Sequence, residues 1–68
     1  MVLTAKTDYL EAVKLILQQT FSRAELRTPD AITITVAFDT DHQYREIVGW
    51  ASDAFGCGLI VSWEIARD

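Results

Sequence analysis

Two carboxylates and an imidazole fall together at Asp39-Thr40-Asp41-His42, and a single thiol, Cys57, lies further along the chain. Carboxylate and imidazole side chains at this spacing are the start of a divalent-metal site. Nothing elsewhere supplies an obvious third and fourth ligand. The same cluster stands where a helix begins, and acidic residues there cap free N–H groups and complement the helix dipole. Capping is the expected role, with no metal. Cys57 follows the end of that helix, whose dipole disfavours a thiolate, whereas a nucleophilic cysteine needs a helix N-terminus or a nearby cation. His42 sits at the opposite end, about 20 Å away at 1.5 Å per residue, so no Cys–His dyad forms within one chain. A half-buried structural thiol is expected. Ser22, Ser52 and Ser62 have no activating neighbour, and Gly49, Gly56 and Gly58 do not form a phosphate loop between a strand and a helix. The chain is therefore expected to be non-enzymatic, with no catalytic residue and no cofactor.

The elements around these residues have clear periods. Ile32, Ile34, Val36 and Phe38 alternate with Ala31, Thr33, Thr35 and Ala37, which predicts a strand with one buried face. Leu59, Val61, Trp63 and Ile65 alternate with Gly58, Ile60, Ser62 and Glu64 and predict a second. Between them Thr40 and Gln43 form a capping box, and Tyr44, Ile47, Val48, Ala51, Ala54 and Phe55 occupy one helical arc. Gly56 stands where a left-handed residue would stop that helix. Upstream, Asp8 and Glu11 form another capping box, and Tyr9, Leu10, Val13, Ile16, Leu17, Phe21 and Ala24 share the apolar face of a first helix ending near residues 24–27, before Pro29. Residues 1–6 read as a short strand or a frayed tail. Both helices belong on one face of the sheet, leaving Thr33, Thr35, Ile60, Ser62 and Glu64 on the other. If the two strands are neighbours, the helical crossover makes them parallel.

Size and charge bound the function. The 68 residues make one small α+β domain, helix–strand–helix–strand. A chain this short buries only about 60% of its unfolded surface, and one cysteine permits no internal disulfide. Completion of the one-sided sheet by a second copy of the chain is therefore expected. Ten acidic residues against six basic give a net charge of −4, which argues against direct contact with nucleic-acid phosphates. No apolar run approaches the ~18 residues of a membrane span, and no signal-peptide core is present; a cytoplasmic setting with a reduced thiol is the expectation.

Phe38-Asp39-Thr40 followed by Arg45-Glu46-Ile47-Val48-Gly49-Trp50 resembles the strand end and helix of TusA/SirA-type sulfur-carrier domains, which implies a small sheet with two helices on one face. That family carries sulfur on a cysteine followed by proline at the start of its first helix. The corresponding stretch here is Lys6-Thr7-Asp8-Tyr9, so the resemblance implies the fold and not the sulfur chemistry. Phe38-Asp39-Thr40 with His42, Tyr44, Val48-Gly49-Trp50 and Gly56-Cys57 is also similar to XisI-type excision-accessory proteins, a resemblance that implies a strand, not a helix, over residues like 42–50.

The expected function is that of a small acidic binding or regulatory module acting through protein–protein contacts as a homodimer. Trp50, just outside the apolar arc, is the expected anchor, flanked by Asp39, Asp41, Glu46 and Asp53 on the outward side of the helix. Two rivals stand beside this reading. One is a phage- or mobile-element-type inhibitor that turns the acidic face toward a nucleic-acid-binding protein; the other is a thiol carrier centred on Cys57.

Overall fold

The computed structural model describes residues 1–38 and 41–66, with the side chains of 41 and 42 excepted. The elements run β1 (Val2–Lys6), α1 (Leu10–Thr20), β2 (Glu25–Asp30), β3 (Thr33–Ala37), α2 (Asp41–Gly56) and β4 (Ser62–Ala66). The strands form one antiparallel sheet in the order β2-β3-β1-β4. This is the split β-α-β topology of ferredoxin-like domains. The α+β class and the one-sided arrangement agree with the sequence.

The strands β3 and β4 run in the same direction, as a helical crossover requires, but they are not neighbours. The strand β1 lies between them, antiparallel to both. Val2–Lys6 is thus an inner strand of the sheet, the short strand and not the frayed tail. Leu3 and Ala5 are buried while Val2, Thr4 and Lys6 lie on the other face, but five residues of alternation are too few to reveal a central strand in the sequence. The strand β2 has no sequence signal either. Leu26 is its one large apolar residue and Pro29 interrupts it, which an edge strand tolerates because its outward N–H needs no partner. The two strands that complete the sheet are therefore supplied by the chain itself.

The core is a single cluster between the sheet and both helices. Leu3, Ala5, Ile34 and Val36 from the central strands meet Val13, Leu17 and Phe21 from the α1 side and Ile47, Ala51 and Ala54 from α2. Leu3, Leu17, Ile34 and Ile47 are fully buried, each worth about 1.5–3 kcal/mol relative to exposure. The helix α1 lies over β2 and β3, and α2 lies over β4. Residues 42–50 are helical, as the apolar arc predicts and against the XisI-like reading.

Both helix boundaries depart from expectation for local reasons. The Asp8–Glu11 capping box does not form: Tyr9 occupies the N-cap without a side-chain bond, and the Tyr9 N–H is taken instead by the Thr7 hydroxyl at 2.9 Å. The first helix stops at Thr20, where Phe21 N–H closes on the Leu17 carbonyl and the chain turns at Ala24 into β2. For α2, Thr40 of the expected capping box lies outside the described residues. Its other end is a Schellman motif shifted from Gly56 to Gly58. Gly58 N–H donates to Phe55 O (3.2 Å) and Leu59 N–H to Ala54 O (2.9 Å), with Gly58 at φ 84°.

That turn carries Ile60 inward. Its N–H also reaches Ala54 O, and its side chain is buried in the core, not on the outer face as strand alternation predicts. Val61 N–H then donates to Lys6 O at 2.7 Å while Ser62 is the residue paired with Lys6. Two residues facing one constitute a bulge, which re-aims the side chain. Val61 is consequently exposed, while Leu59, Trp63 and Ile65 of the expected inward set pack against the core.

Thr7, fully enclosed at the end of β1, ties these segments together. Its hydroxyl donates to Leu59 O at 2.6 Å and accepts from Tyr9 N–H, and its own N–H donates to Ile32 O at 2.7 Å. Replacing Thr7 by Val is expected to cost about 1–3 kcal/mol, because it leaves the Leu59 carbonyl and the Tyr9 N–H without partners. Thr7→Ser, which keeps both bonds, should lose less than about 1 kcal/mol; urea midpoints of the two variants check the contrast. Gly58→Ala is expected to cost about 1–2 kcal/mol from backbone strain alone, since a Cβ there meets no atom within 4 Å. The same urea titration measures it.

Candidate protein-interaction site

The sequence-predicted site residues are only partly brought together. Asp39 lies outside the described residues. Asp41 opens α2, but its side chain, like that of His42, is outside them too. Glu46 and Asp53 are exposed, and Trp50 is half-buried against the core. With spacings of four and three, Glu46, Trp50 and Asp53 form one stripe along α2, so Trp50 lies between two carboxylates. Arg45 is exposed beside the stripe. Trp63, half-buried on the inner face of β4, packs on the same core.

Cys57 is exposed, not half-buried as expected, because the helix ends one residue before it. Its S–H points back to Ala54 O at 3.4 Å, and the last turn of α2 carries no basic side chain. Among the described residues no three His, Cys, Asp or Glu side chains gather in a way that would hold a metal. None of the described helices is long and apolar enough to cross a membrane. The depression lined by Glu11, Ala12, Lys14, Leu15 and Gln18 is formed by one helix alone and lies between its outer side chains.

The sequence missed a different surface. Tyr9 (58% exposed), Ile32 (49%), Phe55 (54%) and Val61 (58%) were all assigned to the core by periodicity, and all stand in solvent. They converge on one end of the sheet. Ile32 is bonded through its carbonyl to Thr7, Tyr9 through its N–H to the same residue, and Val61 through its N–H to Lys6. Phe55 joins them through the Gly58 turn that closes α2. Together the four half-exposed side chains leave apolar area on the order of a few hundred Å² at this end. Periodicity gave no signal for it: Ile32 and Val61 continue the alternation of their strands, and only the observed element bounds place the four at element ends.

The rim of this end is acidic. Asp8 precedes Tyr9, Asp53 lies one turn before the α2 terminus, and Asp30 closes the β2–β3 hairpin; all are exposed, and Lys6 is the exposed cation among them. The Asp30 carboxylate accepts the Ile32 N–H at 2.9 Å, which fixes the two-residue turn presenting Ile32. No residue of that turn has positive φ, so it is not the usual primed hairpin turn, and a register shift between Arg27 and Asp30 takes up the difference. The Ile32 N–H holds Asp30 below its ordinary value of 3.8, helped by the Thr33 hydroxyl and amide and by the charge of Lys6.

With this geometry established, comparison with known proteins finds no match among protein-family models, curated proteins or solved structures.

The Asp30 contacts set a pH dependence. A carboxylate whose folded-state value is depressed contributes stability that is complete above its ordinary value and is lost as the pH falls through the depressed one. The Asp30 carboxyl is therefore expected to titrate by NMR with a midpoint below 3.8. The difference in urea midpoint between wild type and Asp30→Ala should be constant above about pH 5 and close in acid. A carboxyl midpoint at or above the ordinary value would contradict the turn geometry.

Proposed function

We propose that this chain is a non-enzymatic binding module that acts through protein–protein contacts as a homodimer, and that its apolar end takes a protein segment with apolar anchors flanked by Lys or Arg. The observation that carries this reading is the convergence of Tyr9, Ile32, Phe55 and Val61 at one end, each about half exposed. The chemistry of the partner follows from the rim. Asp8, Asp30 and Asp53 outnumber Lys6 there, in a chain of net charge −4, and complementary charge on the partner would speed encounter and select register. The α2 stripe of Glu46, Trp50 and Asp53 extends the same preference for a basic partner, with Trp50 as a flanking aromatic contact.

A pair of labelled model peptides tests this reading by fluorescence anisotropy. One is an amphipathic Leu/Lys helix, the other its Leu/Glu counterpart. The Leu/Lys peptide is expected to bind, to weaken as salt rises, and to lose about tenfold in affinity on Ile32→Ser combined with Val61→Ser, from the apolar area removed. Equal binding of both peptides, or binding unchanged by the double substitution, would overturn the assignment of the surface.

A further inference from the structure

The two edges of the sheet are built differently, and the difference points to one of them as the self-association surface. Which backbone groups are free follows from the hydrogen bonds of β1. Met1 and Phe38 exchange both of their backbone bonds (2.9 and 3.0 Å), and Thr7 N–H donates to Ile32 O. Antiparallel pairs alternate between bonded and non-bonded, so Leu3 and Ala5 also turn their N–H and C=O toward β3. Val2, Thr4 and Lys6 are then left for β4, where they pair with Ala66, Glu64 and Ser62. It follows that Trp63 and Ile65 direct their N–H and C=O away from β1, to an edge that carries no other strand among the described residues.

At the opposite edge, β2 carries the devices that discourage pairing: Pro29 without an N–H, a register shift between Arg27 and Asp30, and the charged side chains of Glu25, Arg27 and Asp30. Over Ser62–Ala66, β4 has neither a proline nor a register shift, and Glu64 is its one charge. Trp63 and Ile65 are also only half-buried on the core side, so an added strand would cover apolar surface as well as satisfy backbone groups.

We infer that two copies of the chain associate through β4, antiparallel about a two-fold axis, to give one continuous eight-stranded sheet. Within Ser62–Ala66 one register uses every outward backbone group. Pairing Trp63 with Ile65 of the second copy uses both N–H and both C=O groups that each chain turns outward, and centres the axis on Glu64. A centre on Trp63 would instead place Ile65 against Val61, whose N–H already serves Lys6. A pair of five-residue strands by itself falls short of the roughly 800 Å² per partner of a stable interface. The helix α2, which lies over β4, comes next to its counterpart across the axis and supplies the remainder. Glu64 faces Glu64 of the second copy at the centre, a like-charge pair that keeps the dimer weak. An antiparallel edge pairing also puts the two apolar ends at opposite ends of the dimer, which makes the assembly bivalent for the partner proposed above. The inference rests on the homodimer part of that reading.

Light scattering across a concentration series, combined with residue-resolved amide hydrogen exchange on the same full-length samples, tests it. Wild type is expected to rise from 7.7 kDa toward twice that mass. Exchange at Trp63 and Ile65 should slow in step with the mass, while Leu26, on the other edge, is unaffected. Glu64→Thr should tighten the dimer about two- to fivefold, the value of one relieved like-charge pair. A dimer in which Trp63 and Ile65 exchange at the same rate at all concentrations would overturn the edge assignment and leave self-association standing. A monomer at every concentration, for wild type and Glu64→Thr alike, would overturn both.

Discussion

The fold depends on one enclosed threonine at the end of one central strand. Among the described residues β1 is the one element bonded to both β3 and β4, and Thr7 extends its reach by bonding Ile32, Tyr9 and Leu59. A side chain with one donor and two acceptor positions suits this place. Its donor goes to the loop after α2, an acceptor position to the entry of α1, and its backbone N–H to the β2–β3 hairpin. Three segments distant in sequence, the end of β1 with the entry of α1, the β2–β3 hairpin and the loop after α2, are thereby held at one end of the sheet. The apolar residues exposed there stand on a framework fixed by hydrogen bonds, although they lie in turns. A binding surface whose backbone is already ordered loses less entropy when it is occupied.

The sheet is completed within one chain, and this changes the meaning of self-association. A two-stranded sheet would need a second copy simply to exist. With β1 and β2 in place, one copy has a single closed core, and every buried side-chain nitrogen and oxygen among the described residues has a partner. The association inferred through β4 would then add to a finished fold. The contrast between a blunted β2 edge and a plain β4 edge is a matter of specificity: in the dimer inferred above, the blunted edge would stop growth at two copies.

Local chemistry explains where the periodic reading of the residues failed. Most of each element interior was read correctly: Val13 and Leu17 in α1, Ile47, Ala51 and Ala54 in α2, Ile34 and Val36 in β3, and Trp63 and Ile65 in β4 all face the core, whereas Ile16, expected on the apolar face of α1, is 37% exposed at the margin of the arc. The other errors gather at the ends. Phe55 belongs to the arc of α2 but lies in its last turn, beyond the sheet. Ile32 continues the alternation of β3 but sits in a turn held by Asp30. Val61 continues that of β4 but lies on a bulge, and Ile60 takes its place inside. Periodicity assigns a face only while the backbone keeps its repeat, and a Schellman turn or a bulge interrupts the repeat without altering the apolar pattern.

The candidate site divides in the same way. Trp50 at the flank of α2, with Glu46 and Asp53 on either side, was legible because a helical stripe depends only on spacing along one regular element. The apolar end was not, because its four residues come from four segments brought together by Thr7 and the Gly58 turn. By itself the sequence determined the α+β class, both helices, the inward faces of β3 and β4, and an acidic surface. These follow from short-range repeats and composition, which need no knowledge of what packs on what. Only the tertiary structure decided that Val2–Lys6 is an inner strand of the sheet, that Glu25–Asp30 is a strand, and that Trp63 and Ile65 turn their backbone groups to an edge with no further strand among the described residues. Strand pairing is a relation between distant segments, set by hydrogen bonds whose partners no local pattern names.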